Sequence, residues 1–253
     1  MIWFKKRYLV YLFLIIIFTW WSMYMTGFDI RRFAQFGNAI DIVKNRFFPV
    51  EWSLFPRLLR ESLVTLAMAF LGTFIALLIA LPISFMAARN TSRHPFFFGL
   101  TRSSLSGLRS IPEIVFGLIL VAALGLGPFP AVLAILLHNI GVLGKLLSEL
   151  VEAADEGPQE AMKAVGASRW VAVVFSILPQ IWPNVLSHYF YRFEVAIRTS
   201  LILGFIGGGG LGQQLFNHFS SLYYQAVALD ILMIMALVIL VDFIGGFVRK
   251  RVI

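Results

Sequence analysis

Long apolar runs constrain this chain more than any other feature. Six stretches of roughly 20 residues, the length that crosses the hydrocarbon core of a bilayer, recur along its 253 residues. They lie at 8–26, 61–88, 110–126, 130–150, 181–204 and 226–248. The chain is 59% hydrophobic, only 13% charged, and has a mean hydropathy of +0.85. These observations predict an all-α polytopic membrane protein with about six transmembrane helices rather than a soluble domain.

The net charge of +8 would suggest a nucleic-acid partner in a soluble protein, but here the basic residues stand at the ends of the apolar runs. Lys5, Lys6 and Arg7 precede the first run, and Arg249-Lys250-Arg251 follows the last, so both termini are predicted to be cytoplasmic and no nucleic acid is expected. The first outer segment, residues 27–60, carries six basic residues and is interpreted as a helix lying on the membrane.

The first apolar run resembles a signal peptide at its start, because basic residues precede it. Aromatic residues, Trp20, Trp21 and Tyr24, follow it instead of a small-x-small cleavage site, and such residues favour the membrane interface. We therefore expect an uncleaved anchor. The predicted organisation is an N-terminal anchor helix and outer segment, 1–56, followed by a transmembrane domain, 57–253.

Residues 158–179 form a polar interruption with the pattern of helix, glycine, helix. Pro158 and Glu160 suit the first turn of a helix, Gly166 can end that helix, and Ser168 can cap the next. The spacing of Glu160-Ala161, Gly166 and Leu178-Pro179 resembles the EAA loop of ABC importer permeases. Glu152-Ala153-Ala154 spells the motif literally but lacks the glycine at the required distance.

Three further segments narrow the resemblance to the phosphonate-type permeases of bacterial ABC importers. They are Arg109-Ser-Ile-Pro-Glu113, Leu137-His-Asn-Ile-Gly141-Val-Leu-Gly-Lys145 and Phe193-Glu-Val-Ala-Ile-Arg198-Thr-Ser. The resemblance implies the type I importer permease fold in the bacterial cytoplasmic (inner) membrane. Residues 158–179, with Glu160, Ala161, Gly166 and Pro179, would then supply the coupling helix that docks on an ATPase.

The same resemblance implies the partners. They would be two cytoplasmic ATP-binding subunits, an outer substrate-binding protein, and either a second copy of the permease or a paralogue, with a homodimer favoured. ATP and Mg would be bound by the ATPase, so this chain would hold no cofactor and would not be an enzyme. Its sequence contains no cysteine, and its four histidines show no metal-ligand spacing.

The fifth run contains three charged residues that are energetically costly inside a membrane, namely Arg192, Glu194 and Arg198. A charge near the middle of a bilayer costs about 2.5–3.5 kcal/mol on insertion scales, so three of them require a compensating role. Glu194 and Arg198 are four residues apart and can pair along one helix face, whereas Arg192 has no local partner. The planar fork of an arginine suits an oxyanion. These residues are a candidate substrate path, and a purely structural salt bridge is the alternative.

The glycine cluster at 204–212 contains a formal G-x-G-x-x-G, but it follows an apolar run rather than a soluble strand, so a nucleotide site is not predicted. Gly207, Gly208, Gly209 and Gly210 are interpreted as a bend or gate near the outer mouth. Two other functions stay open: an importer permease for another small solute such as an amino acid, and a secondary transporter independent of ATP, although no inverted repeat is visible. The sequence also leaves open whether a phosphonate, phosphite or phosphate is carried.

Overall fold

Residues 6–252 are described by a computed structural model, and within them the chain forms ten α-helices and two short 3₁₀ helices, with no strand. The α-helices are α1 (Lys6–Thr26), α2 (Phe36–Arg46), α3 (Phe55–Met86), α4 (Pro95–Ser110), α5 (Glu113–Leu124), α6 (Pro128–Ala153), α7 (Gly157–Ala164), α8 (Arg169–Phe205), α9 (Gly210–Ser220) and α10 (Tyr224–Val252). The 3₁₀ helices are Ile30–Gln35 and Trp52–Leu54. The prediction of an all-α membrane protein is confirmed.

The described chain divides into two compact units, one up to Pro49 and one from Val50 onward. The first contains α1, the 3₁₀ helix Ile30–Gln35 and α2, and the second contains α3 to α10. The division expected from the sequence, at 56/57, remains a prediction.

Among the described residues, five helices or helix groups are long and apolar enough to cross a membrane, and a sixth crossing is possible if α4 and α5 act together. These two helices are bent by 84° at the short break around Ile111 and Pro112. The predicted span 110–126 is therefore wrong as a single helix. α5 has 12 residues and extends only about 18 Å, too little to cross the hydrocarbon core alone.

α6 is the central helix of the second unit, because α3, α4, α5 and α8 all pack against it. Small residues permit the closest of these approaches. A Cβ on Gly141 would lie 2.6 Å from the backbone nitrogen of Arg109 in α4, and one on Gly144 would lie 2.6 Å from Leu105. Two buried apolar clusters, one containing Leu143 and one containing Ile135, fill the space on either side.

α8 begins at Arg169, twelve residues before the predicted span of 181–204, and carries Pro179 and Pro183 in its interior. Residues 210–220, which lie between the predicted spans 181–204 and 226–248, form a further helix, α9. This helix packs against α3, α8 and α10. A hydrophobicity pattern failed to identify it because α9 is short and mixes apolar with polar residues.

Candidate functional site

The segment from α7 to the start of α8 has the predicted helix-glycine-helix form. Gly166 has φ +82°, its N–H donates to the carbonyl of Lys163 at 3.0 Å, and the N–H of Ala167 donates to Met162 at 3.0 Å. These two bonds constitute a Schellman motif, which requires a left-handed residue at the glycine. Val165, beside it, is 81% exposed, so the turn presents an apolar side chain outward.

The ends of this segment are fixed by different contacts from those expected. Ser168 occupies the N-cap position of α8, but its side chain makes no capping hydrogen bond, contrary to the prediction. The connection between α6 and α7 is held by Gln180, whose amide accepts from the Asp155 N–H at 3.0 Å and donates to the Asp155 carbonyl at 3.2 Å. Pro179 lies ten residues inside α8, so it belongs to the helix that the segment enters.

Arg192 lies in a buried polar network that joins four helices. Its Nε donates to Asn139 Oδ1 of α6 at 2.8 Å, and its Nη2 lies 3.4 Å from Glu113 Oε1 at the start of α5. Asn139 in turn donates from Nδ2 to Thr73 Oγ1 of α3 at 3.3 Å. Asn139 stands near the middle of α6, so the network crosses the interior of the membrane domain. Arg192, which has no local partner in the sequence, is thus paired with residues that are distant along the chain.

Glu113 is shared between Arg192 and His138. The imidazole Nδ1 lies 2.9 Å from the carbonyl oxygen of Ile111, and Nε2 lies 3.2 Å from Glu113 Oε1. Because a carbonyl can only accept, Nδ1 must carry a hydrogen to bond it. His138 therefore connects Glu113 to the carbonyl of Ile111, at the point where α4 breaks from α5.

Arg198 has a different environment. Its Nη2 lies 3.0 Å from Asp242 Oδ2 of α10, and the two side chains are 58% and 44% exposed. The sequence predicted Glu194 as its partner, and the partner in the structure is Asp242. The carboxylate of Glu194 lies directly against Gly245 of α10, where an added Cβ would collide with it.

Arg198 is the last member of a polar row along α8. Asn184 and Tyr191 are exposed, and His188 is partly exposed. Their spacings of four, three and seven residues place Asn184, His188, Tyr191 and Arg198 on one face of the helix. We call this row the α8 polar stripe. Exposing such a row of polar side chains to lipid would cost free energy. The stripe therefore indicates that this face of α8 contacts water or another protein.

The glycine bend between α8 and α9 is closely packed. Gly207, Gly209 and Gly210 have φ of +93°, +84° and +68°, conformations that other residues rarely adopt. The Gly127 N–H donates to the Gly207 carbonyl at 2.8 Å, and the hydroxyl of Thr65 accepts from the Leu211 N–H at 2.9 Å. The bend therefore joins the α5–α6 turn to α3, and a gating role for Gly207, Gly208, Gly209 and Gly210 stays a prediction.

Sequence reasoning missed Glu113, His138 and Asn139 as functional candidates. A signal for them was present, since Glu113 ends the first of the three segments that carried the family resemblance, and His138 and Asn139 lie in the second. Their partnership was invisible because Arg192 is 79 residues from Glu113 and 53 from Asn139.

Comparison with known proteins gives consistent results. Residues 80–253 match the family described as binding-protein-dependent transport system inner membrane component. The phosphite transport system permease protein PtxC of Stutzerimonas stutzeri is 41% identical over 203 residues, which cover 80% of this chain and 74% of that protein. The phosphate-import permease protein PhnE of Mycolicibacterium smegmatis is 34% identical over 189 residues, covering 75% of this chain and 36% of that one.

Among solved structures, a chain of the inward-facing MetNI methionine ABC transporter superposes with a TM-score of 0.69. The alignment covers 81% of this chain and 100% of that one, at 19% sequence identity. At this identity the likeness shows the fold, which is that of a type I importer permease.

Proposed function

Because the chain belongs to the family of binding-protein-dependent transport system inner membrane components, we propose that it is the permease subunit of an ATP-driven importer whose cargo is a phosphorus oxyanion. The observation that carries the choice of cargo is the similarity to permeases named for phosphite and phosphate, which extends over three quarters or more of this chain. Phosphonate, phosphite and phosphate share a tetrahedral anionic centre, and the proposal covers this class.

The α8 polar stripe is the proposed wall of the translocation path. Arg198 offers a guanidinium whose fork can bind two oxygens of such an anion. Asp242 holds that guanidinium through an exposed ion pair, an arrangement that contributes little to stability and is exchanged at low cost. Arg192, by contrast, is occupied by Asn139 and Glu113 and lies behind the path rather than in it.

A second permease subunit is proposed to face the α8 polar stripe across the translocation path and so shield it from lipid. Permeases of this family work with ATPase and substrate-binding partners, and the exposed pair of Arg198 and Asp242 would be unfavourable against lipid. A homodimer would place two copies of the stripe around one path. Two ATP-binding subunits on the cytoplasmic side and one outer binding protein complete the proposed assembly, with ATP and Mg on the ATPase.

Coupling is proposed to act through α7 and its glycine turn. Glu160 and Ala161 are exposed on α7, and Val165 projects at its end. Force applied to this element by the ATPase would pass into α8 at Arg169, since only residues 165–168 separate α7 from that helix. The same helix carries the stripe, so closure of the ATPase would bias the path between its two access states.

The cargo is tested by uptake. The chain is produced with its ATPase and binding protein in cells that lack other phosphorus-oxyanion importers, and uptake of phosphite, methylphosphonate, phosphate and methionine is measured. We expect ATP-dependent uptake of at least one phosphorus oxyanion and none of methionine. Methionine uptake alone would favour the amino-acid alternative, and uptake that persists without the ATPase would favour a secondary transporter.

Coupling is tested at Gly166. The variant Gly166→Val forces a branched residue into a left-handed conformation at a cost of about 1–2 kcal/mol, without a collision, since nothing lies within 4 Å of its Cβ position. We expect the ATPase to co-purify poorly or to hydrolyse ATP without uptake. Gly99→Val, in α4 with similarly open surroundings, is the matched control and should keep both activities. Normal assembly and coupled hydrolysis in Gly166→Val would reject the role of this segment.

Orientation is tested by membrane-impermeant labelling. Tags near Gln159 and after the C-terminus are expected to react only from the cytoplasmic side, and a tag near Phe216 only from outside. An external Gln159 would be incompatible with ATPase docking, whatever the similarity of the segment.

A further inference from the structure

A groove opens where α3 ends, beside the first residues of α8. It contains a cavity of about 230 Å³ whose apolar lining includes Phe85, Met86, Phe97 and Trp170. A second cavity of about 330 Å³ adjoins it, shares Arg93 with it, and is lined also by Arg89 and Phe98. We call the two together the α3–α4 groove. None of its residues belongs to the α8 polar stripe or to the buried network of Arg192.

Two arginines form the polar side of this groove, and each is placed over an aromatic ring. The guanidinium carbon of Arg93 lies 5.8 Å from the centre of the Trp170 ring, and that of Arg89 lies 5.8 Å from the Phe98 ring. Stacking of this kind occupies the face of a guanidinium and leaves its N–H edge available.

Within residues 6–252, no carboxylate lies at ion-pair distance from Arg89 or Arg93. The nearby Glu152 is bound by Arg102 at 2.7 Å and accepts a hydrogen bond from the backbone N–H of Arg89 at 3.0 Å. One carboxylate thus accompanies three arginines, Arg89, Arg93 and Arg102, so the groove carries a net positive charge beside an apolar cavity.

The surface around the groove has the composition of a membrane interface. Phe96 and Phe97 at the start of α4 are 64% and 55% exposed, and Trp170 is 55% exposed. The apolar span that includes α3 ends at Met86, which lines the groove, so the groove lies at the level of one end of that span. Aromatic residues mixed with arginines at that level are typical of contact with lipid headgroups and the adjoining acyl chains.

We propose that the α3–α4 groove binds an anionic phospholipid. The headgroup phosphate would lie between the guanidinium edges of Arg89 and Arg93, and an acyl chain would follow Met86, Phe97 and Trp170. The positive charge selects an anionic lipid over a zwitterionic one, and the apolar cavity selects a lipid over a free anion.

The groove is also tied to the start of α8. Nη2 of Arg169 donates to the carbonyls of Thr91 and Ser92, at 3.1 and 3.2 Å, and these two residues line the groove. A bound lipid would therefore stabilise the position in which α8 follows the Gly166 turn. This consequence for coupling depends on the proposed function, whereas lipid binding itself does not.

The test measures lipid retention directly. The assembled complex is placed in nanodiscs of phosphatidylcholine with labelled phosphatidylglycerol, extracted into mild detergent, and analysed for retained lipid by native mass spectrometry. Arg89→Gln/Arg93→Gln is expected to lower retention of phosphatidylglycerol roughly tenfold without changing that of phosphatidylcholine, since each basic residue near a membrane surface attracts anionic lipid. Arg31→Gln/Arg32→Gln removes the same charge from the segment predicted to lie on the membrane, so it measures how far retention falls when surface charge alone is lost. The groove variant is expected to lower retention clearly more than this control.

Three results would overturn the proposal. Equal retention by the groove variant and the wild type would show that the arginines bind no lipid. Displacement of the labelled lipid by inorganic phosphate would assign the groove to a free anion, and loss of the ATPase from the variant would assign it to that subunit. If the glutamine pair does not fold, Arg89→Lys/Arg93→Lys keeps the charge but removes the forks. Partial loss of phosphatidylglycerol from it supports the proposal, and unchanged retention contradicts it.

Discussion

Arg192 and Arg198 lie on the same helix, six residues apart, and the structure gives them opposite environments. Arg192 is buried and held by Asn139 and Glu113 from two other helices. Arg198 is 58% exposed and makes an ion pair with Asp242 at the surface of the domain. The sequence marks both as costly charges in an apolar run and offers a local partner to Arg198 alone. The difference indicates that Arg192 joins helices, whereas the guanidinium of Arg198 is accessible from outside the domain.

This difference follows from the geometry of a helix. Six residues turn the direction of a side chain by about 240°, so residues six apart do not share a face of the helix. Arg192 points toward α5 and α6, where the polar side chains of Glu113 and Asn139 compensate it. Arg198 points along the α8 polar stripe, where Asp242 pairs with it and more than half of its side chain stays exposed.

The largest expected effect is from removing the buried arginine. Arg192→Ala leaves Glu113 and Asn139 without their partner inside the membrane domain, and breaking a buried pair in this way costs about 3 kcal/mol or more. We expect the variant to give little folded protein and a clearly lower unfolding temperature in detergent.

The control for that prediction removes both charges. Arg192→Met/Glu113→Gln keeps similar volumes and leaves an amide beside His138, so most of the lost stability should return. If Arg192→Ala were as stable as the wild type, the network would not join the helices, and the contrast between the two arginines would disappear.

The second expected effect concerns uptake rather than stability. Arg198→Lys keeps the charge but loses the planar fork, so uptake of the phosphorus oxyanion should fall about tenfold. An exposed ion pair contributes at most about 1 kcal/mol, so the unfolding temperature should change little.

The structure also determines which charge a neutral control must remove together with Arg198. Glu194 was the expected partner of Arg198, but Asp242 is the residue whose charge should be removed with it. Uptake by Arg198→Met/Asp242→Asn should be as poor as by Arg198→Lys. Wild-type uptake in both variants, at matched membrane levels, would make Arg198 a structural residue like Arg192.

A third prediction concerns Glu194, which lies between the two arginines in the sequence. Substitutions at the neighbouring Gly245 and Gly246 test whether the position of its carboxylate matters. A Cβ on Gly245 would collide with the end of the Glu194 side chain, whereas one on Gly246 would meet nothing within 4 Å. Because a flexible side chain can shift at low cost, Gly245→Ala should fold but displace the carboxylate and reduce uptake a few-fold. Gly246→Ala should transport normally.

The double variant Glu194→Ala/Gly245→Ala has no carboxylate for the new Cβ to meet. Comparing its uptake with that of Gly245→Ala distinguishes displacement of the Glu194 carboxylate from its removal. Uptake of Gly245→Ala equal to that of Gly246→Ala would exclude a role for the position of Glu194.

The sequence predicts the local features of this molecule well and its pairings poorly. The spans at α3, α6 and α10 and the Gly166 turn follow from hydrophobic length and from helix-ending chemistry within a few residues. α9 and the break before α5 do not, because both are fixed by tertiary contacts, such as the bond from Leu211 to Thr65. The partners of Arg192 and Arg198 come from other helices, and no spacing rule within one helix can identify them.

The smallest expected effect tests the far edge of the buried network. Thr73→Val preserves shape but removes the hydroxyl that accepts from Asn139, and hydrogen bonds between membrane helices average about 0.6 kcal/mol. Ser62→Ala is the matched control, since that hydroxyl also lies buried in α3 but bonds only the Leu58 carbonyl of its own helix. We expect a small decrease in unfolding temperature for Thr73→Val, none for Ser62→Ala, and no change in uptake by either. A decrease as large as that of Arg192→Ala would mean that the network extends into α3 as a single unit, and equal unfolding temperatures for both variants and the wild type would mean that it ends at Asn139.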